Sequence, residues 1–201
     1  MSLWLLPEPL VLASRSPVRH SIMEAAGIPV EIQPPDVNER AIEATATAAA
    51  PGEVAILLAR AKALAVGSRM PARIVLGADQ TLALGARRFS KPTGRSAARE
   101  QLLALRGRTH ELHSAVALVR NDRVLYQTVQ VARLTMRSFS DAFLDRYLRA
   151  AGDAVTTSVG AYQLERTGIH LFERIEGDYF TILGLPLLPV LAFCREEKFV
   201  S

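Results

Sequence analysis

Leu10-Val11-Leu12-Ala13 is an unbroken apolar run, as expected of a strand buried on both faces, and Ser14-Arg15-Ser16 ends it. Pro17 suits the first turn of a helix that carries Ile22, Ala25 and Ala26 inward and stops at Gly27. Val30-Glu31-Ile32 predicts a second strand, closed by Pro34-Pro35. Residues 36–40 read as a polar loop, and residues 41–50 fit either a weak helix or a loop. From Glu53 a helical period is clear, with Val54, Leu57, Leu58, Ala61, Leu64 and Ala65 on one face, Arg60 and Lys62 off it, and Gly67 at its end. Residues 74–78 predict another buried strand, with Asp79-Gln80-Thr81 where it emerges.

Further along, residues 82–89 read as a turn and short strand through Gly85, delivering Ser90-Lys91-Pro92. Residues 96–105 predict a helix with Ala97, Leu102, Leu103 and Leu105 inward. Residues 111–119 and 124–136 pair as a hairpin across Asn121-Asp122. Ser140 caps a helix over Asp141–Ala151 that turns Phe143, Leu144, Tyr147 and Leu148 inward. Gly160-Ala161-Tyr162 and Gly168 mark an irregular segment, residues 169–175 a strand, and Leu185-Pro186 the start of a last helix reaching about Glu196. Strands alternate with helices early and a hairpin comes late, which predicts an α/β fold with a mixed central sheet flanked by helices.

Composition narrows the classes. At 201 residues, with 49% apolar and 22% charged, the chain can build a sizeable core as one large domain or two lobes. Its net charge of +4 suits a polyanionic small substrate as well as nucleic acid. Basic residues come at most in pairs such as Arg87-Arg88 and aromatics are only 6%, which argues against a nucleic-acid surface. Cys194 is the single cysteine, so no internal disulfide or cysteine-rich metal site forms, in keeping with the cytoplasm. The opening MSLWLLPEPL lacks a basic region, so no signal peptide is expected. No run reaches the roughly 18–20 apolar residues of a membrane span, residues 183–193 being cut by Pro186 and Pro189.

The groups with chemistry to offer are Ser14, Ser16, Arg19, Glu39, Asp79 and Lys91, placed at the ends of elements, with Lys62 on a helix side. Singly, Lys62 and Arg19 read as solvated helix residues and Glu39 as a loop carboxylate. Asp79 differs, because an aspartate after an apolar run is costly to bury and needs a partner. As a set, two lysines, an arginine and the helix N-terminus after Ser16 can neutralise a polyphosphate. Two carboxylates can hold a magnesium-type cation, whose acidified water would make a nucleophile that an ordinary aspartate is too weak to generate. His20, His110, His113 and His170 show no shared-metal spacing, and Gly-x-Ser-x-Gly, Walker A and Gly-x-Gly-x-x-Gly motifs are missing from the sequence.

These residues sit in blocks that resemble the Maf family of nucleoside triphosphate pyrophosphatases: LASRSPVR, Asp36-Val37-Asn38-Glu39, LLARAKA, VLGADQ, SKPTG, and VGAYQLERTGIHLFERIEGDYFTILGLPL. The blocks follow in family order from Leu10 to about Leu191. The resemblance implies hydrolysis between the α- and β-phosphates of a nucleotide, dependent on a divalent cation, Mg2+ or Mn2+. It implies a single domain over residues 1–201, an α/β sheet split into two lobes around a deep cleft, commonly as a homodimer. By position, Asp79 would activate water and associate with metal, Glu39 would assist in both, and Ser14, Ser16, Arg19, Lys62 and Lys91 would hold phosphates.

Val18, Gln80 and Glu165 fall where the family's branches differ in base. Asp79-Gln80, Glu165 and LFERIEG resemble the branch acting on 7-methyl-GTP more than the dTTP/UTP branch, although Val18 and His20 stand where that branch usually has a tryptophan and an arginine. A carboxylate suits a guanine edge because it accepts from N1–H and N2–H. A reading of another class is a regulatory protein of cell division working without turnover. The complete ionic set favours the enzyme, since a binding module needs no carboxylate beside its phosphate-holding lysines.

Overall fold

The computed structural model describes residues 3–46 and 49–201. In chain order the elements are β1 (Leu10–Ala13), α1 (Pro17–Ala25), β2 (Val30–Ile32), α2 (Glu39–Thr45), α3 (Pro51–Gly67), β3 (Val75–Leu84) and β4 (Arg87–Phe89). Then come α4 (Arg95–Leu105), β5 (Thr109–Arg120), β6 (Arg123–Met136), α5 (Asp141–Ala151), β7 (Phe172–Glu176), α6 (Tyr179–Ile182) and α7 (Leu187–Glu196). The strands make a seven-stranded sheet in the order β2-β1-β3-β5-β6-β7, with β4 paired to β3. β1 runs parallel to β2 and β3, whereas β4 on β3 and β7 on β6 are antiparallel, so the sheet is mixed as the alternation of elements predicts. The chain divides into two compact units, one of Met1–Gln80, Ser114–Gln130 and Tyr179–Ser201, the other of Thr81–His113 and Val131–Asp178.

In the first unit the two-residue period of the strands sorts the core into two layers. Val11, Ala13, Val75, Ala115, Ala117 and Val119 pack on Ala55, Ala59, Ala63 and Val66 of α3. Leu10, Leu12, Leu76, Ala78, Val116 and Leu118 pack with Ile22 and Met23 of α1 and Val190, Phe193 and Cys194 of α7. Asn121 and Asp122 both take positive φ (52° and 58°), which suits the two-residue turn between β5 and β6.

Three expectations change here. Leu57 is exposed, and the stripe of α3 on the sheet is built from alanines, because small side chains let the helix backbone approach β3 closely. Lys62 falls beside that stripe and is buried. Residues 41–50 begin in helix, and Glu39 is not in a loop: α2 starts at Glu39, capped by Asn38 Oδ1 accepting from the Ala41 N–H (3.1 Å). Thr47 and Ala48 lie outside the described residues. Asp79 does not follow a strand end, because β3 runs on to Leu84 and pairs there with β4.

The second unit packs Leu102 and Leu105 of α4 and Leu144 and Leu148 of α5 as buried core, with Ser140 Oγ capping α5 by accepting from the Phe143 N–H. Its irregular segment is a series of 3-10 turns, the last spanning Thr167–Leu171, so β7 starts at Phe172 and later than the apolar pattern predicts. His110 of β5 is buried, with Nε2 2.8 Å from the Tyr162 hydroxyl and Nδ1 unpartnered. Burial pulls its imidazole down to about 4. A histidine that takes its proton more readily when unfolded stabilises the fold fully above about pH 6.5 and loses that contribution as pH falls toward 4. Stability should therefore fall by about 2 kcal/mol from about pH 7.5 to about pH 5. Thermal unfolding across that range should show the loss, and a His110→Gln variant should flatten it; parallel profiles would contradict the assignment.

Candidate active site

Ser14 follows β1, is buried, and accepts through Oγ from the Ser16 N–H (3.2 Å) and Arg19 Nη1 (3.3 Å). Ser16 caps α1, its Oγ accepting from the Arg19 N–H at 3.4 Å. Arg19 also donates from Nε to the Gly184 carbonyl (2.8 Å) and from Nη1 to the Ala78 carbonyl (2.9 Å). Its guanidinium thus braces the end of α1 against β3 and the turn before α7, with Nη2 left over for a ligand among the bonds of the described residues. Burial lowers the Arg19 pKa, and the charges of Asp79 and Glu39 work against that.

Alternation along β3 places Val75, Gly77 and Asp79 on the face that meets α3, and Leu76, Ala78 and Gln80 on the other. Lys62 of α3 donates from Nζ to Asp79 Oδ1 at 2.5 Å and sits 2.8 Å from Glu39 Oε1. Lys62 and Asp79 are only 6% and 7% exposed, whereas the Glu39 side chain is half exposed. The solvated-helix reading of Lys62 therefore gives way to a buried ion pair. Burial pushes the Asp79 carboxyl above the ordinary carboxylate range, opposed by the charges of Lys62 and Arg19.

On the opposite face Gln80 donates from Nε2 to Ser114 Oγ (2.8 Å), the Ile182 carbonyl (3.0 Å) and the Thr181 carbonyl (3.2 Å). Val18 is half-buried and packs on the layer holding α1 and α7. The structure thus brings Ser14, Arg19, Glu39, Lys62 and Asp79 together within the first unit. Lys91, exposed after β4, and Glu165, exposed in a turn, belong to the second unit, and neither makes a hydrogen bond or ion pair with the described residues. Sequence reasoning missed Ser114, Thr181 and Gly184, whose bonds span separations of 34 to 165 residues and leave no local signal.

Among the described residues no three His, Cys, Asp or Glu side chains gather as a metal site. Two carboxylates remain, each using one oxygen on Lys62, while Asp79 Oδ2 and Glu39 Oε2 accept no hydrogen bond from the described residues. Few protein ligands, all hard oxygens, fit a cation of the Mg2+ or Mn2+ type that completes its shell with water and phosphate.

Comparison with known proteins identifies the family. The family model for Maf-like proteins matches residues 9–197. A Rhodopseudomonas palustris (strain ATCC BAA-98 / CGA009) protein named nucleoside triphosphate pyrophosphatase is 55% identical over 201 residues, all of both chains. A Bradyrhizobium diazoefficiens protein of the same name is 54% identical, again over the whole of both. A Brucella abortus protein named 7-methyl-GTP pyrophosphatase is 49% identical over 194 residues, 96% of this chain and 98% of its own. With nearly the whole chain matched, this protein belongs to the Maf-like family.

Proposed function

We propose that this protein is a nucleoside triphosphate pyrophosphatase that hydrolyses the α–β phosphoanhydride of modified guanine nucleotides of the 7-methyl-GTP kind, releasing a nucleoside monophosphate and pyrophosphate. The observation that carries the reading is the buried Lys62–Asp79 pair, extended to Glu39 and flanked by Arg19. A buried ion pair adds little net stability over apolar packing, so charges concentrated this way point to chemistry. The names of the relatives support the same reaction, and that of the Brucella relative supports the base.

In this reading Asp79 takes the proton of the attacking water. Lys62 holds Asp79 in place and meets phosphate charge, and Arg19 Nη2, Ser14 and the N-terminus of α1 face the same anion. Glu39 and Asp79 would hold the divalent cation, which would supply Lewis acidity to water and to phosphate oxygens. The water oxygen bonds to phosphorus as the bridging P–O bond breaks and pyrophosphate leaves.

The test is pyrophosphate release by the purified protein with Mg2+ or Mn2+ over the common nucleoside triphosphates and 7-methyl-GTP. Release fastest from 7-methyl-GTP is expected. Faster release from dTTP or UTP would overturn the base while keeping the reaction, and silence across the panel would overturn the reaction in favour of a binding role. None of the helices among the described residues is long and apolar enough to cross a membrane.

A further inference from the structure

We infer that Ser114 is a positioning residue that sets base selectivity by locking the amide of Gln80. The inference rests on the reading that Gln80 meets the nucleobase. Ser114 lies on β5 and is fully buried. Its single hydroxyl proton is spent on the Thr181 carbonyl at 2.6 Å, so toward Gln80 its oxygen acts as an acceptor. Gln80 Nε2 faces that oxygen and two backbone carbonyls, those of Thr181 and Ile182. Carbonyls only accept, so the nitrogen end of the amide must face them; the opposite orientation would set oxygen against three acceptors.

The consequence is chemical. Both N–H bonds of Gln80 are consumed by the fold, and Oε1, which accepts nothing from the described residues, is the one hydrogen-bonding atom the side chain can offer. A freely rotating glutamine can read a donor or an acceptor, whereas this one reads a donor only, as a carboxylate would without its charge. That matches a guanine edge with its adjacent N1–H and N2–H groups. Without the Ser114 hydroxyl, Nε2 loses its shortest partner and the Thr181 carbonyl loses its strongest donor. The two carbonyls still turn the nitrogen end toward themselves, but the amide is then held by the two longer bonds alone, and the position of Oε1 is less closely fixed.

The test measures kcat/KM for 7-methyl-GTP and for UTP in the wild type, Ser114→Ala, Gln80→Ala and the double variant. Each single substitution should lower the ratio of the two values by about tenfold, the effect of one oriented hydrogen bond. The double variant should fall no further than Gln80→Ala alone, because Ser114 acts through Gln80. Ser114→Cys, which nearly conserves volume but bonds weakly, should lower the ratio in the same direction and serves if the alanine variant fails to fold. Equal losses on both nucleotides, or an undiminished effect of Ser114→Ala in the Gln80→Ala background, would make Ser114 purely structural and overturn the inference while leaving Gln80 in place. An unchanged ratio in Gln80→Ala would instead overturn the role of Gln80 and the inference with it. A wild-type protein silent on both nucleotides would overturn the reaction beneath both.

Discussion

Asp79→Asn should lower kcat for pyrophosphate release at least about a thousandfold, within the range seen when a general base is lost. Asparagine keeps the shape of the side chain and an oxygen that can still accept from Lys62 Nζ, so the packing of α3 on β3 has no reason to change. What disappears is the proton acceptor and one of the two anionic oxygen donors available to a divalent cation. Lys62 keeps Glu39 as a counter-charge at 2.8 Å, which limits the cost of leaving a buried ammonium short of a partner. The measurement is turnover at saturating nucleotide and metal, with circular dichroism and thermal unfolding as the check on the fold. Native-like spectra with turnover lost would place Asp79 in the chemistry, and a kcat within about tenfold of wild type would remove it as the base.

The sequence marked Asp79 for a physical reason, the cost of a carboxylate against an apolar run, and its burial beside Lys62 agrees with that reason. It misplaced the residue at a strand end because β3 is extended by pairing with β4, a partner that local pattern does not reveal. Lys62 was hidden for a different cause. Weighting the large apolar residues of α3 drew the buried face through Leu57, which is exposed, while the contact with the sheet runs along alanines whose value lies in being small, with Leu64 packed against them. The strand at Leu10–Ala13, the Ser140 cap and the Asn121-Asp122 turn were legible because each is decided within a few residues. The family blocks carried Ser14, Arg19, Glu39, Lys62 and Asp79 into the candidate site, yet no motif says that Arg19 spends Nε on Gly184 or that Gln80 spends its amide on Thr181 and Ile182. Those bonds exist only once distant segments have met.

Gly77→Ala should lower the stability of the first unit by about 3 kcal/mol, at the upper end of what overpacking a core costs, and should reduce activity as well. Gly77 lies on β3 between Val75 and Asp79, on the face covered by α3. A Cβ there would stand 2.2 Å from the Ala59 carbonyl oxygen, 2.7 Å from the Ala63 nitrogen and 2.9 Å from the Ala63 Cβ. Two of these are backbone atoms of a helix and cannot swing aside, so α3 itself must move away from the strand. Lys62 rides on that turn of α3, and its 2.5 Å contact with Asp79 two residues along β3 depends on the same close approach. The glycine therefore sets the distance of the proposed catalytic pair as well as the packing. For a chain of this size the loss corresponds to a Tm lower by roughly 6–12 °C. Gly94→Ala is the control: nothing lies within 4 Å of its added Cβ and the backbone there is extended, so Tm should shift by less than about 2 °C. If Gly77→Ala matched the wild type in Tm and turnover, α3 could not lie against β3 at this distance. The ion pair would then need some other support.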